Sequence, residues 1–140
     1  MKCSFILLIS IASLLYLNAE KKVVFIAGKK SHGYFSHEHI AGSKLLAKYI
    51  NNANVGIESI VVSDDGYPKD PSILNDADAI VVYCDGGGRH LLNPHLKEFD
   101  KLMKQGIGLA CIHYGVEVPK GAPGNYFLKW IGGYFETNWS

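Results

Sequence analysis

Three short stretches hold residue types able to do chemistry. "SHGYFSHEH", Ser31 to His39, packs His32, His37 and His39 with a glutamate into nine residues. "DGGGRH" runs from Asp85 to His90, and "GLACIHYG" from Gly108 to Gly115. Imidazole titrates near neutrality, so histidines suit proton transfer or metal ligation. The first stretch has three open readings: a ligand set of His32, His37 and His39, acid–base groups, or polar residues at a helix start. The spacing HxxxxHxH is not a standard zinc pattern. On a helix His37 and His39 would diverge, whereas in an extended loop they could converge with His32. A divalent metal such as zinc is the cofactor this stretch would suit. Glu38 is explained by the helix dipole alone.

The third stretch places His113 where a strand gives way to the next segment. A nucleophile elbow uses that position, because the sharp turn lifts one side chain into a pocket. The alternative is a structural histidine hydrogen-bonded at a strand end. Tyr114 and Glu117 follow at the same end. In "DGGGRH", Gly86, Gly87 and Gly88 offer N–H groups unshielded by side chains, able to hold an oxyanion, a phosphate or a sugar hydroxyl. The stretch matches neither the Walker pattern nor the dinucleotide fingerprint, and a plain turn is the competing reading.

The elements that must position these groups are legible from apolar runs. Lys22 to Ala27, "KVVFIA", reads as a strand buried on both faces. A helix from about Glu38 to Asn52 follows, with Ser36 as its expected cap and Ile40, Leu45, Leu46 and Ile50 as its expected buried side. Val55 to Val62 is the second strand, and a short helical segment begins at Asp70-Pro71. Ala77 to Cys84 is the third strand. Asn93-Pro94 reads as cap and first position of a second helix, with Leu96, Phe99, Leu102 and Met103 on one face and Gly106 as the stop. "IGLACIH" is the fourth strand. A loop, a short aromatic helix and a tail close the sequence. In that region Tyr126, Phe127, Trp130, Tyr134 and Phe135 read mostly as core, with Trp139 the exposed exception. The order β-α-β-α-β-α-β implies an α/β fold, a parallel sheet with helices on both faces. Ligands then bind at the carboxyl ends of the strands, where all three chemical stretches lie.

Composition narrows the function classes. The chain has 140 residues, one domain's worth. Residues 1–19 read as a signal peptide: Lys2 as the positive start, Phe5 to Leu17 as the apolar stretch, Ala19 before a cleavage point. That predicts a secreted or periplasmic protein with no stable membrane span after cleavage. The remainder, 20–140, is expected to be one domain. Of 14 Lys and Arg, Lys2 falls in the leader, so 13 basic residues balance 13 acidic ones. There is no basic stripe, which argues against nucleic acid as a partner. Cys84 and Cys111 sit at strand ends, and are expected to be buried free thiols, because bridging adjacent parallel strands strains a disulfide.

Four segments together carry a resemblance: "VVFIAGKKSHGYFSHEHIAGSKLLA", "ADAIVVYCDGGGRH", "GIGLACIHYGVEVPKG" and "FLKWIGGYFETNWS". In that order they resemble the ThuA-like (trehalose-utilisation) family, across nearly all of 20–140. The resemblance implies a flavodoxin-like three-layer α/β/α sandwich of the class I glutamine amidotransferase type. The amidotransferases keep a cysteine in a G-x-C-x-G elbow; His113 stands at that position, and Cys111 two residues earlier. This departure argues against glutamine hydrolysis by a thiolate. The "DGGG" run falls where those enzymes place oxyanion-hole glycines. The family's link to trehalose and 3-keto-glycoside metabolism implies a small-molecule carbohydrate as partner. On this reading His113 and Glu117 are catalytic, and Asp85, Gly86, Gly87, Gly88, His90 and Tyr114 bind substrate. ThuA-like domains run further, so the sequence is expected to represent an amino-terminal portion. Two rivals remain: a non-catalytic carbohydrate-binding module, and a metal-dependent hydrolase using His32, His37 and His39.

Overall fold

The computed structural model describes residues 20–139. The expected signal peptide, 1–19, lies outside the described residues. Among those described, no helix is long and apolar enough to cross a membrane. The fold is α/β: a four-stranded parallel sheet, three α-helices and short 3-10 turns. Strand β1 (Lys21–Ala27), helix α1 (His39–Asn52), β2 (Ile57–Val62) and β3 (Ala79–Tyr83) are followed by α2 (Leu96–Lys104) and β4 (Gly108–Ile112). The sheet order is β2-β1-β3-β4, so the chain reverses its direction of winding between β1 and β3. The loops after β1 and β3 therefore open side by side at the carboxyl edge of the sheet.

Alternation along the strands separates the two faces. Val24, Ile26, Ile80 and Val82 join Leu74, Leu92, Phe99, Leu102 and Phe127 in one apolar cluster, beneath α2 and α3 (Ala122–Ile131). The other face of β1 and β3 lies under α1. Helix α1 packs there through the buried His39, Ser43 and Ala47; of the expected residues, Ile40 and Ile50 are half-buried and Leu45 and Leu46 are exposed. Leu45 and Leu46 are 54% and 41% exposed. The reason is closeness of approach. A Cβ on Gly42 would stand 2.8 Å from the Tyr83 ring, so the helix lies on the sheet through its small side chains.

Other expectations need correction. Ser36 does not cap α1: Glu38 holds the cap position without a side-chain bond, and the Ser36 N–H donates to the Gly33 carbonyl in a separate turn. Asn93 does not cap α2 either. Its Nδ2 donates to the Gly87 carbonyl at 3.0 Å, and a 3-10 turn (Asn93–His95) leads into the helix. The aromatic tail hides a second small sheet, β5 (Glu117–Val118) paired in parallel with β6 (Phe135–Glu136). Phe127 is core, Trp130 and Tyr134 pack against it, and Trp139 is exposed. Asp100 on α2 links the helices, accepting from Lys129 Nζ at 2.7 Å and Trp130 Nε1 at 3.0 Å of α3. Cys84 and Cys111 are free, Cys84 buried as expected and Cys111 half-buried. Burial pushes both thiols up to about 12, well outside the range of a reactive thiolate.

Candidate active site

Five groups that meet at the carboxyl edge, Ser31, His32, His37, Asp85 and His113, come from three strand ends. After β1 the chain makes a tight loop, pinned by a bridge between Ser31 and His37. Two non-glycine residues of this loop, His32 and Phe35, take left-handed backbone at φ 61° and 62°. Such conformations cost about 1–3 kcal/mol each and gather at functional sites. The loop sets Ser31, His32 and His37 against Asp85, which follows β3. Ser31 Oγ donates to Asp85 Oδ1 at 2.7 Å, and His37 Nδ1 lies 3.0 Å from the same oxygen. Burial opposes ionisation of Asp85, but the bonds from Ser31 and His37 and the neighbouring imidazoles outweigh it, so its carboxyl sits below the usual range.

His113 arrives from β4. It is the first residue of a 3-10 turn (His113–Val116) and has φ 54°. This is the strained strand-to-turn geometry of an elbow, and it projects the imidazole outward. Its Nε2 is 3.2 Å from His37 Nε2, so His37 connects His113 to Asp85 through its two ring nitrogens. Tyr114 stacks on His113 with centroids 4.2 Å apart and meets His37 edge-on.

A cleft of about 410 Å³ opens beside this line, bounded among others by Lys29, Ser31, His32, Asp85 and Arg89. A smaller one of about 190 Å³ shares His32, Asp85 and Arg89 and adds Gly86, Tyr114 and Glu117. Glu117 is mostly buried and borders the rim next to His113.

Two assignments made from sequence do not fit. His90 is not a cleft residue. It is buried, its Nε2–H donates to the Gly115 carbonyl at 2.9 Å, and its Nδ1 accepts from the Leu92 N–H at 3.1 Å. Both nitrogens are thus spent on main chain, and desolvation lowers the ring's pKa to about 4. His90 instead braces the turn that carries His113. His39 does not share a ligand cluster with His32 and His37; Asp85 takes that place. His39 is fully buried, and its Nδ1–H donates to the Lys29 carbonyl at 2.8 Å.

The glycines divide. A Cβ on Gly86 would meet Glu117 Cβ at 2.6 Å, so this residue lets the loop dock on β5. Gly87 is buried with its neighbour Thr137, while Gly88 stands in open space. Ser31 and Lys29 carry no chemical signal of their own in the sequence: Ser31 lies inside a quoted stretch, but nothing in its type distinguishes it from an ordinary loop residue. Arg89 belongs to the polar run after the third strand and does line both clefts.

Compared with protein-family models, with curated proteins and with solved structures, the chain matches none.

Proposed function

We propose that the protein is a secreted sugar-processing domain of the ThuA-like kind, built on a flavodoxin-like, class I glutamine amidotransferase-type fold. The sheet order β2-β1-β3-β4 supports the finer fold, since flavodoxin-like sheets share it. The reaction we favour is abstraction of a proton next to a sugar carbonyl. The observation that carries it is His113: held on a left-handed turn, and backed by His37 and Asp85. A proton taken up by the imidazole pair is shared between two nitrogens, and Asp85 answers the charge. The electrons of the broken C–H bond pass to the carbonyl oxygen. N–H donors at the Gly88 end of the loop stabilise that oxyanion, and Glu117 and Tyr114 line the substrate's approach. The thiols take no part.

The test is turnover of a 3-keto-glycoside by the wild type and by His113→Ala. The reading requires loss of turnover in the variant; equal rates would remove His113 from catalysis. Sugar affinity without turnover, unchanged in His113→Ala and lost with Trp139→Ala, would instead identify a binding module.

A further inference from the structure

We propose a divalent-cation site at the mouth of β1 and β3, with His32, His37 and Asp85 as protein ligands and Ser31 Oγ at the fourth corner. A tetrahedral ion with bonds of about 2.0–2.1 Å separates its ligand atoms by about 3.3–3.4 Å. Ser31 Oγ lies 3.0 Å from His32 Nδ1, 3.1 Å from His37 Nδ1 and 2.7 Å from Asp85 Oδ1. His37 Nδ1 is 3.0 Å and His32 Nδ1 3.9 Å from that oxygen. The three His and Asp atoms all lie within 4.8 Å of one another. Three of the six edges of a coordination tetrahedron, at 3.0, 3.1 and 3.0 Å, therefore stand near their required length before any ion enters, while the Ser31–Asp85 edge is short at 2.7 Å and the His32–Asp85 edge long at 3.9 Å.

The buried neighbour points the same way. The main-chain carbonyl of Lys29 can only accept, so His39 must carry its hydrogen on Nδ1. That leaves Nε2, fully buried and without a hydrogen-bond partner, 3.9 Å from Asp85 Oδ1. This buried nitrogen and the Asp85 carboxylate face each other without a hydrogen bond between them. The left-handed backbone at His32 supplies a reason for the loop's strain: it turns that ring onto His37, with centroids 4.1 Å apart. Two imidazoles and one carboxylate suit zinc, manganese or ferrous iron, and the exchangeable fourth position leaves room for a substrate oxygen. With a cation on Nδ1, His37 would donate its Nε2–H to His113. The cation site shares His37 and Asp85 with the proposed acid–base centre, and His113 belongs to that centre alone.

The experiment is zinc binding to the intact chain, first stripped with chelator, read by elemental analysis after dialysis and by calorimetric titration. The site predicts about one zinc per chain, with affinity falling at least about tenfold in each of His32→Ala, His37→Ala and Asp85→Asn, while circular dichroism shows each variant folded. Zinc binding is retained in His113→Ala, which separates this inference from the catalytic reading. No stoichiometric zinc, or binding that survives all three ligand substitutions, overturns it. Failure to bind stoichiometric zinc in protein that still turns over sugar would sink the cation site alone.

Discussion

His113 is held at φ 54°, and that strain can be measured. Two substitutions isolate it: His113→Ala and His113→Gly. Both remove the imidazole, so contacts with His37 and Tyr114 are lost equally, and only the backbone preference differs. An L-residue in the left-handed region costs about 1–2 kcal/mol relative to glycine. Glycine loses about 0.4–1 kcal/mol through the greater freedom of its unfolded chain. The difference leaves the glycine variant more stable than the alanine variant by roughly 0.5–1 kcal/mol. At an ordinary position the order is reversed. For about 120 structured residues, 1 kcal/mol moves the melting temperature by roughly 4 °C, so the glycine variant should melt about 2–4 °C higher. Thermal unfolding followed by circular dichroism reads this directly. An alanine variant melting at or above the glycine variant would refute the strained elbow, and with it the main structural reason for placing His113 at the reacting centre.

Acid should weaken the fold through His90. Its folded pKa of about 4 lies below the ordinary histidine value of 6.5, so the unfolded chain binds this proton first. Stability is fully present above about 6.5 and falls as the pH drops toward 4, by roughly 3 kcal/mol from this residue. Urea titrations across that window should show a slope that His90→Gln flattens; equal slopes would contradict the buried neutral ring. Cys84, buried and with its thiol pushed up to about 12, should react with a thiol reagent only after unfolding. Rapid native labelling of Cys84 would count against its packing.

The four strands were legible because β-branched apolar runs carry their own signal, and the sheet's rules then placed the chemical stretches at one edge. The contacts across that edge were not legible. His37 and Asp85 lie 48 residues apart, and only the register of β1 on β3 brings them together. His90 stands in a stretch as polar as its neighbours, and its inward direction follows from the 3-10 turn at Gly87–Arg89, too short to leave a periodic pattern. The buried side of α1 misled for a different reason. Leu45, Leu46 and Tyr49 form an apolar stripe of their own, while the contact to the sheet runs through small residues with no hydrophobic signal. Strands β5 and β6 are two residues each and leave no alternation to read.

In the proposed reaction His113 moves a proton next to a sugar carbonyl. The most direct measurement is hydrogen–deuterium exchange at that carbon, followed by proton NMR of a 3-keto-glycoside incubated with the protein in heavy water. The wild type should catalyse the exchange, and His113→Ala should leave it near the uncatalysed rate. Exchange that is absent in the wild type, or undiminished in the variant, would contradict this role for His113.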